Sequence, residues 1–396
     1  MMFQTVTHVS LTTKAQRYIF IDLLRFSAIV FMLQGHTFDA LLSESVKHSR
    51  YFYLHDFFHG FVAPMFLFSS GMAFGVSTLK KWQDHLSFTP AVRRRVTRYF
   101  SLLVIGYALH LPFFSLNRIL HDGTPGDMAA FFEVDALQCI AVTLLFLQML
   151  IMIVRTEKRL VLIAAILAPL VIIFSPIVWG IPFEHTLPLW FSSYLNADNN
   201  SWFPLFPWSA YLFCGVIFAY VFVQAQRNGK DLLLMKRVVV VGSAMIVAMV
   251  LLANSPVHLY GPHDFWKVNP SILLLRTAVV AMMASGMYFV ERVMRRDGTI
   301  HVPIKLPIIM GSESLVIYVA HLLIIYGSVV NDGLVYSLGG KLSIAEAFAV
   351  FLLMLVVMSA VAYIWHNTKK NFRRESAVVK LALTTVLLLY FVVRPY

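Results

Sequence analysis

Cysteine and charge are what this chain has least of. It holds 2 cysteines in 396 residues, Cys139 and Cys214, each inside an apolar run. That excludes a disulfide framework and a cysteine-ligated metal, and leaves the two thiols as small core hydrophobes. No metal is expected among the 14 histidines. Charged residues make up 13% of the chain, where a soluble domain carries roughly 25%. An ordinary cytosolic enzyme, a disordered chain and a nucleic-acid module are thereby excluded. No stretch reads as a soluble domain, and no internal repeat is visible.

What the chain has instead is grease: 59% of its residues are hydrophobic. A single soluble core stops growing at about 250–300 residues, so so much apolar surface has to face lipid. The apolar stretches are near-continuous runs of about 18–25 residues, the length that crosses a bilayer as a helix. Barrel strands would alternate over about 10 residues. The expected fold is all-α: a polytopic transmembrane bundle of about eleven helices, forming one integral-membrane domain over 1–396. The spans are expected near 17–42, 58–79, 95–115, 136–154, 160–179, 204–223, 238–254, 270–291, 308–330, 343–364 and 377–393. The first run is too long for a signal peptide, holds Asp22 and Arg25, and lacks a cleavage pattern.

Basic residues give an independent reading of sidedness. With eleven spans, 24 of the 32 Lys and Arg residues fall on the N-terminal side of the membrane and 6 on the other. Positive charge gathers in cytoplasmic loops, so the N-terminus is expected in the cytoplasm. The net charge of +12 is thus a topology signal and needs no nucleic acid.

Ionisable groups at membrane depth are costly and mark pathways or sites. The first span, RYIFIDLLRFSAIVFMLQGHTFDALL, carries Asp22, Arg25, His36 and Asp39. Arg25 and His36 lie eleven residues apart, about three turns, so they share a face about 16 Å apart. Asp22 is one turn from Arg25 and Asp39 one turn from His36, which predicts an Asp–Arg pair and a His–Asp pair. A histidine can take a proton from an attacking hydroxyl or amine, a carboxylate can orient it, and a guanidinium can hold a carbonyl or anionic oxygen. Further candidates near the outer leaflet are His55, Asp56 and His59, then His110, Asp135, Gln138, Trp208 and Arg276, and the i, i+4, i+7 set Ser314, Tyr318 and His321. At the cytoplasmic side, Arg93, Arg94, Arg95 and Arg98 are either plain positive-inside anchors or a phosphate clamp. The loop 180–203, with Trp190, Tyr194, Asn196, Asp198, Asn199, Asn200 and Trp202, is either an interfacial aromatic belt or a sugar-stacking platform. Small residues at small-xxx-small spacing permit a homodimer, as they permit any tight helix packing.

Arg25, ten residues, then His36 resembles the R-x(10)-H signature of the acyltransferase-3 family of transmembrane acyltransferases. The closer likeness is to the heparan-α-glucosaminide N-acetyltransferase-like branch with its bacterial members. RYIFIDLLRFSAIVFMLQGH is similar to their opening helix, HGFVAPMFLFSSGMAFG to their second, and VRRRVTRYFSLLVIGYALHLP to the basic start of their third. DALQCIAV, WFPLFPWSAYLFCGV and GSESLVIYVAHLLI resemble later blocks, so the likeness runs over about 17–330, with 343–396 as additional C-terminal helices. Phe26 stands where the family has Gly after the first-helix Arg.

The resemblance implies an acyl-CoA-dependent transferase, acetyl-CoA or another acyl-CoA being the donor, in a bacterial inner (cytoplasmic) membrane. The acceptor would be an amine or hydroxyl of an extracytoplasmic saccharide, a bacterial envelope glycan rather than heparan sulphate. His36 would be the base or a transient acyl carrier, with His59 its rival. Arg25 would position the thioester arm, Asp39 would support His36, and Arg94, Arg95 and Arg98 would meet the CoA phosphates. Asp22, His55, Asp135, Gln138, Trp208, Arg276, Ser314, Tyr318 and His321 would line the substrate path. Two other readings stay open. A proton-coupled transporter uses the same buried groups, although matching broken helices are not visible. A non-catalytic glycan- or lipid-binding protein would depend on Trp190 and Trp208 rather than on His36.

Overall fold

A computed structural model describes residues 17–256, 259–294, 305–328 and 331–394. Lys14, Arg295 and Arg296, which entered the charge count, lie outside the described residues, as do the side chains of Arg373, Arg374 and Lys380. The described chain is helical, and no strand occurs among these residues. The longer helices, in chain order, are α1 (Ile19–Leu41), α2 (Arg50–His59), α3 (Val62–Lys80), α4 (Pro90–Leu109), α5 (Ala136–Val154), α6 (Glu157–Trp179) and α7 (Leu205–Arg227). They continue with α8 (Asp231–Ala253), α9 (Pro270–Met294), α10 (Lys305–Ser312), α11 (Ser314–Tyr326), α12 (Ile344–Asn371) and α13 (Arg373–Val393). The chain is a polytopic helical membrane bundle.

By length and apolarity, 8 helices among the described residues suffice to cross a membrane, and a ninth does if the bent pair α10–α11 is one span. Two of the eleven expected stretches fall short of that standard. In α4 the arginines of its first turns lower the apolar mean, and in α13 the described apolar part is only Thr384–Val393. Two expected spans also change shape. The third ends at Leu109 and gives way to a turn at Pro112–Phe114. The ninth is broken at Glu313, where α10 and α11 meet at 77°.

Close packing uses small residues. A methyl group on Gly71 of α3 would stand 2.1 Å from the Leu212 carbonyl oxygen of α7, and one on Gly215 of α7 would stand 2.1 Å from that of Phe68. The two backbones therefore touch, which is the way apolar helices gain dispersion contact where lipid is as apolar as they are. A methyl on Gly311 of α10 would stand 2.0 Å from the Asp22 carbonyl of α1. The N-terminus of α1 has no cap from its own Tyr18; the buried Glu291 of α9 accepts the Phe20 N–H at 2.7 Å instead. A carboxylate there matches the positive end of the helix dipole.

The bundle has one basic end. Lys80 lies over the Tyr18 ring, Arg17 bonds Asp22, and Lys369 pairs with Glu313. At the opposite end the start of α12 meets the end of α1: Lys341 and Leu342 donate to the Leu41 carbonyl. The candidate site lies toward this second end.

Candidate functional site

α1 carries the centre of the site. Its register points Arg25 at α3, where Nε reaches Ser69 Oγ at 3.4 Å and Nη2 the Ser69 carbonyl at 3.5 Å. Three turns on, His36 faces α2 and α11. Its ring lies 6.1 Å from that of His59 and 5.1 Å from that of His321, centroid to centroid. Three histidines distant in sequence thus meet inside the bundle.

Their partners fix their roles. Nδ1 of His36 is 3.2 Å from the Tyr326 hydroxyl at the end of α11. His321 is fully buried and its Nδ1–H donates to the Ile317 carbonyl at 2.8 Å, because a carbonyl can only accept. Nε2 of His321 therefore holds a lone pair, and it is buried without a partner. Nδ1 of His59 is likewise buried without a partner. Gly35 makes room for it: a methyl there would stand 2.0 Å from His59 Nδ1. His55 stacks parallel on His59 with centroids 6.0 Å apart. It also bonds Gln34 Oε1 at 3.0 Å and Asp56 Oδ1 at 3.2 Å.

On the other flank, Tyr318 donates to Asp135 Oδ2 at 2.6 Å, and its ring lies 5.8 Å from that of His321. His110 lies 3.8 Å from the same carboxylate oxygen. Asp135 also accepts the Ala136 N–H at the start of α5. Gln138, one turn further, is fully buried against Gly106, with Oε1 unpartnered. Trp208 is buried with its indole N–H unpartnered. Arg276 of α9 is buried, donates to the Trp266 carbonyl at 2.9 Å, and packs on Gly60 beside His59. The expected residues His36, His59, His55, Asp135, Tyr318 and His321 form one continuous polar track.

Several expectations are corrected. Asp22 pairs with Arg17 at 2.7 Å rather than with Arg25; Arg17 approaches from just before α1 and takes the carboxylate first. Asp39 is exposed, and His36 bonds Tyr326 instead. Ser314 stands at the α10–α11 break without a bond to the Tyr318–His321 pair. In the loop 180–203, Asn196 and Asn199 fold inward: Asn196 donates to the Ile181 carbonyl and Asn199 to that of Ala129. Trp190 and Trp202 keep the largest exposed apolar faces there, 58% and 66%, with Phe191 at 45% and Ile181 at 41%.

Arg95 is built into the bundle. Nη1 donates to Thr78 Oγ1 at 2.9 Å and Gln148 Oε1 at 3.1 Å, and Nη2 to Ser77 Oγ at 2.9 Å. Burial and the nearby guanidinium push the His85 imidazole down to about 4. Arg94 and Arg98 are exposed. Arg95→Ala should therefore destabilise the fold by about 2–3 kcal/mol, since Gln148 and Thr78 lose a charged partner. Arg98→Gln should leave the melting temperature unchanged, and a detergent thermal melt compares the two.

Sequence reading missed Tyr326, Gln34 and Ser69, which bond His36, His55 and Arg25. Gln34 and Ser69 were visible as polar residues in apolar runs. Tyr326 carried no such signal.

A family comparison decides the class. The model of the heparan-alpha-glucosaminide N-acetyltransferase catalytic domain matches residues 17–253. The chain belongs to this family. It is therefore a member of a membrane acetyltransferase family, and more than half its length carries the match. No curated protein matches the chain. The matched stretch includes Arg25, His36, His55, His59 and Asp135. Arg276, Tyr318, His321 and Tyr326 lie beyond it, yet the fold brings α11 against the family's first helix.

Proposed function

We propose that the protein transfers an acyl group, acetyl in the first instance, from cytoplasmic acyl-CoA to an amine or hydroxyl of an extracytoplasmic saccharide. The observation that carries this reading is the meeting of His36, His59 and His321 in the bundle interior, in a member of an acetyltransferase family. The basic end faces the cytoplasm and the histidine cluster lies toward the other leaflet. The donor delivers its acyl group through the membrane, with Arg25 along the thioester's path.

His36 is the base. With Nδ1–H donated to Tyr326, its Nε2 accepts the proton of the attacking amine or hydroxyl. The acceptor's N or O bonds to the thioester carbonyl carbon, the C–S bond breaks, and CoA leaves as the thiol once it takes up a proton. The lone pair on His321 Nε2, one ring away, gives the proton a second resting place. The Asp135–Tyr318 bond holds α11 against α5 and so keeps His321 facing His36. The protein is one domain over 1–396 in this reading, set in a bacterial inner membrane.

The test uses the full chain in sealed proteoliposomes with radiolabelled acetyl-CoA on one side and amino-sugar or hydroxylated acceptors on the other. Labelled acceptor, formed only when donor faces the basic end, supports the reading. Acceptor or proton crossing the membrane without acetylation would establish a transporter and sink it. Exposed Arg98 is the residue to vary for donor affinity, because an Arg95 variant confounds binding with folding.

A further inference from the structure

At the basic end, α10, α12 and Arg17, just before α1, line an open cavity of about 800 Å³ to which no residue of the histidine track contributes. Its polar wall is made by Arg17, Lys305, His366, Asn367 and Lys370. Among the described residues, no acidic side chain lines it. The nearby carboxylates are already engaged: Asp22 by Arg17, and Glu313 by His366 and Lys369. Lys305 and Lys370 are exposed and, among the described residues, have no carboxylate partner. The remaining wall is apolar, with Leu306 and Ile309 from α10 and Tyr363 from α12. Leu306 and Tyr363 also keep outward faces, 40% and 53% exposed, on the surface that meets lipid.

The cavity therefore offers cationic and amide donors at the level where the span ends and grease immediately below. A phosphodiester with two acyl chains has that same order of groups. Basic pockets between helices at a cytoplasmic membrane face take anionic headgroups. The site is distant from the histidine cluster: from Ile19, two residues after Arg17, His36 is seventeen residues along α1, about 26 Å of helix. We propose that this cavity binds the headgroup of an anionic phospholipid, with Lys305 and Lys370 on the phosphate. Bound there, the lipid ties α10 to α12 and to Arg17 before α1, beside the 77° break at Glu313.

Native mass spectrometry of the full chain tests this. Protein taken from nanodiscs of equal phosphatidylcholine and phosphatidylglycerol should retain phosphatidylglycerol preferentially. The Lys305→Gln/Lys370→Gln variant should retain it roughly thirtyfold less, the loss that two basic contacts of this kind imply. Lys341→Gln, at the opposite end, should match the parent. Equal retention of the two lipids by the parent overturns the proposal without needing a variant. So does a double variant with unchanged preference. A third overturning result is displacement of the lipid by CoA in the parent with loss of CoA binding in the double variant, which would make the cavity a nucleotide site. None of these readouts depends on acetyl transfer, so failure here and failure of the proposed reaction are separable.

Discussion

Replacing His36 by alanine is expected to lower acetyl transfer by roughly 10²–10⁴-fold, the range for loss of a general base. The fold should survive. His36 is only half-buried, and its one hydrogen bond is to a tyrosine at the exposed end of α11. Thermal melting of the variant should stay close to that of the parent. His59→Ala and His321→Ala serve as the comparison. His321 is fully buried and bonded into its own helix, so its loss should cost both stability and activity. His59 packs on Gly35 beside the same cluster, and its loss should reduce turnover less than that of His36 if His36 is the base. Tyr326→Phe separates orientation from chemistry. It removes the partner of His36 Nδ1 while keeping the ring, and should reduce turnover by about tenfold or less. If His36→Ala and His59→Ala, correctly inserted, both kept full transfer, the catalytic assignment would be wrong. The assay is acetyl transfer in proteoliposomes, normalised to folded protein.

The largest structural effect belongs to Gly215. Gly215→Leu should destabilise the bundle by about 3 kcal/mol or more. Overpacking typically costs about 1–3 kcal/mol, and here the obstacle is backbone that cannot rotate aside. The carbonyl oxygen of Phe68 would stand 2.1 Å from the new Cβ, and the backbone nitrogen of Met72 2.9 Å. Gly71 meets α7 in the same way from the other helix, so Gly71→Leu should behave alike. Gly286 in α9 is the control. A methyl there meets no atom within 4 Å, and alanine favours helix over glycine by about 1 kcal/mol. Gly286→Ala should leave melting unchanged or slightly raised. The free thiol of Cys139, which is buried, provides the readout, since a thiol-reactive dye in detergent reports its exposure on unfolding. Equal melting temperatures for Gly215→Leu and the parent would show that the α3–α7 contact is looser than described.

Much of this protein was legible before its fold was known, because bilayer physics writes itself into composition. Apolar runs of spanning length required helices, and the scarcity of charge made each internal Asp, Arg and His conspicuous. The spacing of Arg25 and His36 placed them on one face of one helix, since a single regular helix fixes the relation of its own residues. The family's motifs in α1 to α3 followed the same logic, being local and contiguous.

Partnership was not legible. Asp22 and Arg25 are a plausible pair by spacing, and so are His36 and Asp39. In each case a residue outside the expected geometry took the place: Arg17 for Asp22, Tyr326 for His36. A helix determines which residues share its face, but which side chain comes within 3 Å depends on how neighbouring helices pack. The same holds for Arg95, whose place one turn from Arg98 in a basic run suggested a phosphate ligand. Packing instead surrounded it with Ser77, Thr78 and Gln148. The 77° break at Glu313 was not expected either: the polar stretch GSES interrupts the apolar run there, and the partners of Glu313, His366 and Lys369, lie over fifty residues away. Composition and spacing alone required a helical membrane protein with a polar stripe in its first helix. The meeting of His36, His59 and His321 needed the packed bundle, because contact between residues 36 and 321 is set by helix packing and by nothing local to either.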